Sequence, residues 1–304
     1  MSAKEIIKIW IENGDETAVL DLSYLPYIGE LPDSLQKLNC SHCYIGKLPK
    51  LPASLIELNC SHCKNLEELP KLPPNLQKLN CSCCIKLKEL PKLPTNIKKI
   101  ECSYCPIKKL PKLPKSLNYL NCYNCPIDKI PKLPTFLIEL YCCSCPNLKE
   151  LPKLPTTLID LYCHNCSNLK ELPELPANLQ KLSCSQCPIK TLPELPESLQ
   201  ELYCYYCPIK ELSELPQNLK VLHCHNCSNL KELPKLPKSL QLLNCSSCLI
   251  EKIPELPPNL QILDCFNCYN LKELPDLPPN LRRLDCSKCP IKSFPPILPI
   301  LVYL

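Results

Sequence analysis

The sequence has little glycine, few aromatic residues and no long apolar run. Only 3 of the 304 residues are glycine, and all three precede position 47, so prolines rather than glycines are expected to form the corners of the chain. No apolar stretch approaches the ~20 residues that span a bilayer. The N-terminus, MSAKEIIKIWIENGDE, has acidic residues within its apolar part and does not resemble a signal peptide. A net charge of +5 does not indicate a nucleic-acid or lipid partner.

Proline and cysteine are abundant instead, with 37 and 28 residues, and they recur together. In the stretch LPKLPKSLNYLNCYNCPIDK, from Leu110 to Lys129, alternating leucine and proline excludes a helix and favours extended backbone. The spacing L-x-x-L-x-C then alternates like a short strand. Since one such unit cannot bury its own apolar side, copies must stack. A C-x-x-C pair recurs 13 times at a spacing of 20 or 21 residues, beginning at Cys40, Cys60, Cys81, Cys102, Cys122, Cys142, Cys163, Cys184, Cys204, Cys224, Cys245, Cys265 and Cys286.

The repeated segment L-x-x-L-x-C-x-x-C-x-I resembles the leucine-rich repeat pattern L-x-x-L-x-L-x-x-N/C-x-L. The LPxLP segment and the short period are similar to the LPX-type repeats of secreted bacterial effector proteins. The cysteine-studded composition also resembles repeat proteins of giant DNA viruses of the mimivirus type. This resemblance covers about residues 17–304. It implies a leucine-rich-repeat solenoid, with a curved parallel sheet of about fourteen short strands on its concave face and extended Leu-Pro segments on its convex side.

The two ends of the array differ from the regular units. Helical spacing of apolar residues, followed by Gly14, predicts a capping helix over residues 3–13 within an N-terminal cap of residues 1–16. The array then comprises a degenerate unit at 17–30, thirteen C-x-x-C units over about 31–293, and a truncated unit at 294–304. In the degenerate unit Leu22 and Leu25 replace both cysteines. In the truncated unit Leu301 and Leu304 match the strand leucines. Without a polar cap this end is expected to fray, or to be covered by a partner or a second copy.

The cysteines permit three interpretations: buried free thiols, metal ligands or disulfides. The repeated C-x2-C-x(15–20)-C-x2-C pattern is typical of zinc sites. However, each cysteine stands where the repeat needs an inward apolar residue, and thirteen pairs cannot all combine into four-thiolate sites. We therefore predict buried free thiols in a reducing, cytoplasmic environment, with no metal or other cofactor. Cys83 beside His62, and Cys143 beside His164, are predicted to lie on outward columns without a third group to make a catalytic site.

Aromatic residues concentrate at outward strand positions, where the core does not require them. Because interfaces favour tyrosine and exposed apolar patches mark binding sites, we predict that the concave face binds a partner protein. Charges of both signs on this face argue against a nucleic acid. His223 and His225 lack a third ligand for a metal. The predicted partner-binding residues are Tyr119, Tyr123, Tyr141, Tyr162, His164, Tyr203, Tyr205, His223, Val221, Leu242, Ile262 and Phe266.

A charged column is predicted on the convex side, at the residue between the two Leu-Pro pairs of each unit. It is interpreted as a solvated surface or as a basic docking strip. In chain order its residues are Lys50, Lys71, Lys92, Lys112, Lys132 and Lys153, then Glu174, Glu194 and Glu214, then Lys235, Glu255 and Asp276.

These observations predict a non-catalytic protein-binding module. One alternative is a cysteine-rich metal-binding or redox-buffer protein, which zinc stoichiometry would distinguish. A second is the substrate-targeting subunit of a ubiquitin-ligase-like effector, which the LPX resemblance suggests. Such effectors carry a separate catalytic domain, and this chain has no room for one, so we do not expect an enzyme.

Overall fold

A computed structural model describes residues 1–292 and 302–303. The chain forms two compact units, Met1–Leu148 and Lys149–Leu304. In each unit, short parallel strands alternate with extended Leu-Pro segments and tight turns. The chain is thus a parallel β-solenoid with one short N-terminal helix, which confirms the predicted fold class. The predicted division of residues 17–304 into a single array remains a prediction.

The N-terminal helix α1 spans Ala3–Asn13, as the apolar spacing predicted. Ser2 and Glu5 form a capping box, in which the Ser2 N–H donates to Glu5 Oε2 at 2.7 Å and the Glu5 N–H donates to Ser2 Oγ at 3.4 Å. Gly14 ends the helix with a φ of +67°, which glycine adopts without strain. Trp10 is buried, and its indole N–H donates to a backbone carbonyl just before the first strand. The helix therefore covers the start of the sheet.

Each regular strand has three residues centred on a buried leucine or isoleucine. Strands of the first unit are β1 Val19–Asp21, β2 Lys37–Asn39, β3 Glu57–Asn59, β4 Lys78–Asn80, β5 Lys99–Glu101, β6 Tyr119–Asn121 and β7 Glu139–Tyr141. Strands of the second unit are β8 Asp160–Tyr162, β9 Lys181–Ser183, β10 Glu201–Tyr203, β11 Val221–His223, β12 Leu242–Asn244, β13 Ile262–Asp264, β14 Arg283–Asp285 and β15 Val302–Tyr303. Within each unit successive strands pair in parallel.

The strand register survives the variable repeat length. Leu38 pairs with Leu58 across 20 residues, and Leu58 pairs with Leu79 across 21. The additional residue enters between the second cysteine and the next Leu-Pro pair, where no strand pairing depends on it. In the last pair, β14 and β15, Leu284 stands opposite Tyr303. Leu301 and Leu304, predicted to be the strand leucines there, lie outside the described residues.

The core contains most of the leucines and nearly all the cysteines. The two cysteines of a repeat differ in their hydrogen bonding. The second thiol of a repeat donates to the carbonyl oxygen of the first cysteine in the preceding repeat. Cys63 Sγ donates to Cys40 O at 3.1 Å in this way, and Cys227 Sγ donates to Cys204 O at 3.2 Å. The second cysteine is therefore a hydrogen-bond donor between units as well as an apolar filler. In the degenerate first repeat Leu25 replaces the second cysteine, and no earlier repeat offers it a carbonyl oxygen.

The turn after each strand has a left-handed residue that is not glycine, which corrects the expectation that prolines alone form the corners. The residue before the second cysteine, or before Leu25 in the degenerate repeat, has a φ between 53° and 63° in each of fourteen repeats. These residues are Tyr24, His42, His62, Cys83, Tyr104, Asn124, Ser144, Asn165, Gln186, Tyr206, Asn226, Ser247, Asn267 and Lys288. Asparagine tolerates this conformation, whereas the other types adopt it at a cost of about 1–2 kcal/mol each.

Cys143 corrects another prediction. It occupies an outward column, yet only 1% of its surface is exposed, because the side chains around it cover so small a residue. Cys83 is half-buried. An outward position in the repeat therefore does not ensure exposure when the side chain is small.

Candidate functional site

The candidate binding surface is the outer face of the sheet, formed by the residues that flank each buried leucine and the residue after each first cysteine. All twelve predicted partner-binding residues are half-buried, so they are neither fully exposed nor part of the sealed core. Three of them, Tyr119, Tyr123 and Tyr141, lie in the first unit, and the other nine lie in the second.

Aromatic rings in the first unit gather on β6 and β7. The ring centroids of Tyr119 and Tyr141 are 5.5 Å apart, and those of Tyr104 and Tyr123 are 5.1 Å apart. Lys99 Nζ lies 4.3 Å from the Tyr119 ring centroid, a cation–π contact. The rings thus support one another in a small cluster at this end of the first unit.

The rest of that face, over β1 to β5, carries mainly charged and amide side chains. It forms a groove of about 360 Å³ lined by lysine, glutamate and asparagine together with Val19 and the leucines of β2 to β4. Lys78 forms an ion pair with Glu57 on the neighbouring strand at 2.9 Å, and Lys99 forms one with Glu101 on its own strand at 2.6 Å. Because charges of both signs are paired, this groove offers little net attraction for a charged ligand.

The second unit has two rows of stacked rings. Tyr203 and His223 stack with centroids 5.2 Å apart and planes at 12°. Tyr205 and His225 stack at 4.4 Å and 9°, and Tyr206 meets the His225 ring edge-on at 5.9 Å. Parallel strands in register place these rings side by side, so the stacking follows directly from the repeat.

An apolar column continues this aromatic surface. Val221, Leu242 and Ile262 are register partners on β11, β12 and β13, and each is half-buried. Phe266 follows β13, with Lys288 Nζ 5.0 Å from its ring centroid. Apolar groups that stay partly exposed in this way are available to a partner rather than to the core.

A buried polar site separates the rings of β8 from those of β10. Ser183 and Ser185, at outward positions of β9 and just after it, are 6% and 0% exposed because larger side chains flank them. Ser183 Oγ lies 3.3 Å from His164 Nδ1. Ser185 Oγ and His225 Nδ1 have no hydrogen-bond partner among the described residues. This face therefore keeps unused hydrogen-bonding capacity beside its aromatic rings.

Burial changes the acidity of these groups. It lowers the pKa of His223 and of His225 below the ordinary 6.5, and the neighbouring His223 lowers that of His225 further. Burial, with the nearby Glu201 carboxylate, raises the pKa of Tyr203 to about 12. At neutral pH the aromatic rows are consequently uncharged, which suits an apolar contact.

Among the described residues no group of three or more histidine, cysteine, aspartate or glutamate side chains is placed to hold a metal ion. Within the same part of the chain, no helix is long and apolar enough to cross a membrane.

Sequence reasoning missed the aromatic residues of the left-handed turns. Tyr24, His42 and His62 form a continuous stack, with centroid distances of 4.7 and 4.4 Å. Tyr104 and Tyr206 contact the predicted site from the same turn position. Nothing in the repeat pattern indicates that the residues before the second cysteines stack on one another.

A parallel solenoid built from L-x-x-L-x-C units defines a leucine-rich repeat protein, and the Leucine Rich Repeat family pattern matches residues 34–55. Among solved structures the chain is similar to YopM, a leucine-rich effector protein from Yersinia pestis, at 34% identity and a TM-score of 0.86, over 99% of this chain and 86% of that one. The chain belongs to this family of leucine-rich repeat proteins.

YopM from Yersinia enterocolitica WA-314 is similar at 32% identity and a TM-score of 0.78, over 92% of this chain; this chain spans 66% of that protein's length. A leucine-rich repeat protein from Bacteroides ovatus ATCC 8483, at 17% identity and a TM-score of 0.51 over 88% of this chain and 83% of that one, shares the fold. No curated protein matches the sequence significantly. The likeness to giant-virus repeat proteins has no support among these matches.

Proposed function

We propose that this chain is a non-catalytic protein-binding module that captures a partner through the aromatic patch of its second unit. We define that patch as Tyr203, Tyr205, His223, Val221, Leu242, Ile262 and Phe266. One observation carries the proposal: stacked, uncharged rings and a register-aligned apolar column stay half-exposed on strands whose core positions are already filled. The Y. pestis relative is an effector protein, and an effector role for this chain is part of the proposal.

Tyrosine suits such a surface for physical reasons. Its ring gives a large contact area at a low cost in side-chain entropy, and a few anchors of this kind usually dominate an interface. The cluster of Tyr119, Tyr123 and Tyr141 in the first unit is proposed as a second contact region. Tyr162 and His164 would extend the patch of the second unit towards β8.

The test compares capture of partner protein from native cells by the full chain and by a Tyr203→Ala, Tyr205→Ala, Phe266→Ala variant. The variant should lose at least about tenfold in capture, since anchor truncations each cost about 1–4 kcal/mol of binding free energy. The matched control is Tyr44→Ala with Tyr269→Ala, which removes two rings that are 73% and 59% exposed but lie off the outer face. Equal capture by the patch variant and the wild type, at unchanged unfolding midpoints, would refute the proposal.

A further inference from the structure

The Leu-Pro side of each unit carries a column of exposed charges, formed by the residue between the two Leu-Pro pairs. In the first unit the column is entirely basic, and we name it the lysine column: Lys50, Lys71, Lys92, Lys112 and Lys132. In the second unit the same position holds Lys153, then a run of three glutamates, then Lys235, Glu255 and Asp276. We name the run Glu174, Glu194 and Glu214 the acidic column.

The lysine column lies in a strongly basic part of the chain. Residues 47–148 contain 16 lysines, 7 acidic residues and no arginine, a net charge of +9. Neighbouring lysines of the column are one repeat apart in the stack, and like charges in such a row repel one another. No lysine of the column forms an ion pair among the described residues. The repulsion is therefore not relieved within the first unit.

The acidic column borders a groove on the Leu-Pro side of the second unit. The groove has a volume of about 700 Å³, and Glu174, Glu194 and Glu197 line it together with leucines, prolines and Lys153. Glu197 already accepts a hydrogen bond from the Gln217 N–H at 3.0 Å, whereas Glu174 and Glu194 form no ion pair within the described part of the chain. The proline rings and leucine side chains can pack against the aliphatic stem of an incoming lysine, and the glutamates can pair with its ammonium group.

We infer that the chain self-associates, with the lysine column of one copy docked on the acidic column of another. Both columns carry one charge per repeat and share the same repeat spacing, so at least three opposite charges can align in register. Every copy supplies both columns, and such a heterologous contact closes into a pair or ring or extends into a filament. This contact is separate from the aromatic patch, which lies on the outer face of the sheet.

A second copy fits these columns better than a nucleic acid does. The lysine column contains no arginine that could make bidentate contacts to phosphate. None of its five residues is aromatic, so the column has no ring on which a base could stack. A polyanion would also be repelled by the acidic column of the second unit. Only a partner that carries both signs at the repeat spacing complements both columns, and this chain is such a partner.

The experiment measures the mass of the full chain in solution at about 50 mM and about 500 mM salt, since salt screens contacts between exposed charges. The wild type should show at least twice the 34.6 kDa chain mass at low salt and a shift towards the single-chain mass at high salt. A Lys92→Glu, Lys112→Glu, Lys132→Glu variant should show the single-chain mass alone. So should a Glu174→Lys, Glu194→Lys, Glu214→Lys variant.

An equimolar mixture of these two variants provides the decisive measurement. The first variant carries six acidic residues over the two columns and keeps only Lys50 and Lys71, and the second carries eight basic residues, so neither should associate with itself. Their surfaces are mutually complementary, and the mixture should regain the higher mass. The control variant Lys64→Glu, Lys86→Glu, Lys108→Glu makes the same charge change in the first unit at exposed positions off the column, and it should associate as the wild type does.

Three results would overturn the inference. The first is a wild type that keeps the single-chain mass at low salt, including one that instead binds heparin as a probe for polyanions. The second is undiminished association of the lysine-to-glutamate variant. The third is a mixture of the two reversed variants, each with a wild-type unfolding midpoint, that forms no complex.

Discussion

The cysteines of one unit differ in what their sulfur atoms contact. A first cysteine such as Cys224 is fully buried among leucines and neighbouring thiols, and burial raises the pKa of its thiol well above the ordinary value. A second cysteine such as Cys227 is also fully buried, but it donates to a backbone carbonyl of the preceding unit. Sequence alone treated the two as equivalent small apolar residues, because the repeat pattern gives their direction but not their hydrogen bonds.

The same substitution should consequently have different costs at these two positions. Cys224→Ser buries a hydroxyl without a good acceptor and should reduce the free energy of unfolding by about 1–3 kcal/mol. Cys227→Ser keeps a donor directed at the same carbonyl and should cost less than about 1 kcal/mol. Urea unfolding of both variants and the wild type tests this expectation. Equal losses would show that the thiol-to-carbonyl bond contributes nothing to stability.

Thiol reactivity should follow exposure and pKa. Of the 28 cysteines, 25 are buried and only Cys83, Cys286 and Cys289 are half-exposed. The neighbouring Cys265 and Cys268 thiols lower the pKa of the Cys289 thiol, whereas burial raises the pKa of Cys83 and of Cys286. Cys289 should therefore react first with an alkylating reagent, because only the thiolate is nucleophilic.

The labelling rates of Cys83 and Cys289 should also differ in how strongly they depend on pH. Between about pH 8 and pH 6 the labelling rate of Cys83 should fall about tenfold per pH unit, while that of Cys289 should fall less. Mass spectrometry after brief labelling of the native chain identifies the modified thiols. Rapid modification of most of the 28 cysteines would contradict the buried arrangement, and denaturation should expose them all.

At the scale of the element, the left-handed turn is the feature that sequence reasoning did not find. Helix α1 and the strand register were predictable, because helical spacing and the L-x-x-L period directly determine which side chains are buried. The turn was not, because only four of its fourteen residues are asparagine and none is glycine. Tyrosine, histidine, glutamine and lysine are not turn-forming types. Hydrogen bonding between units holds them there, as the Gln186 N–H does with Tyr205 O at 2.8 Å.

Glycine at one of these positions should stabilise the fold. Gln186→Gly removes the left-handed strain of φ +57° and, after the entropy that glycine adds to the unfolded chain, should raise the free energy of unfolding by about 0.5–1 kcal/mol. Asn226→Gly is the matched control and should change little, because asparagine already tolerates φ +56°. A stability loss in Gln186→Gly would mean that the glutamine side chain contributes more than its backbone strain costs.

At the scale of the whole molecule, the sequence predicted the direction of the outer-face residues but not their neighbours. Alternation around each buried leucine placed Tyr203, Tyr205 and His223 correctly on the outer face. Burial of Cys143 and Ser185 was not predictable, since it depends on the size of side chains in adjacent repeats rather than on their own position. The stacking of rings likewise depends on rotamers, which a single strand does not determine.

Stability should fall in mild acid because the outer-face histidines are buried as neutral rings. The pKa values of His223 and His225 lie below 6.5 in the folded chain, so the unfolded state binds protons first as the pH decreases through 6.5. The contribution is fully present above 6.5 and is lost as the pH falls from there towards the folded pKa values. The Asp264 carboxyl, whose pKa burial raises, acts in the opposite direction at lower pH.

A pH series of urea midpoints between about 7 and 5 measures this loss. The His223→Asn, His225→Asn variant should show a smaller decrease over the same range than the wild type does. An unchanged decrease in the variant would assign acid sensitivity to other groups.

The hydrogen bond from each second thiol reaches back by one unit only, from Cys63 to Cys40 and from Cys268 to Cys245. Strand pairing likewise links the strands of adjacent repeats, as β2 with β3 and β12 with β13. Removal of one whole repeat, from one first cysteine to the next, would give the strand and the second thiol at the new junction a partner of the same chemical kind. The number of repeats can therefore change through unequal recombination between similar stretches of coding sequence, without any other mutation to repair the interior. A change in repeat number outside the aromatic patch would alter the number of repeats between the patch and one end of the chain. The length of the solenoid and the binding specificity of the patch can therefore evolve independently.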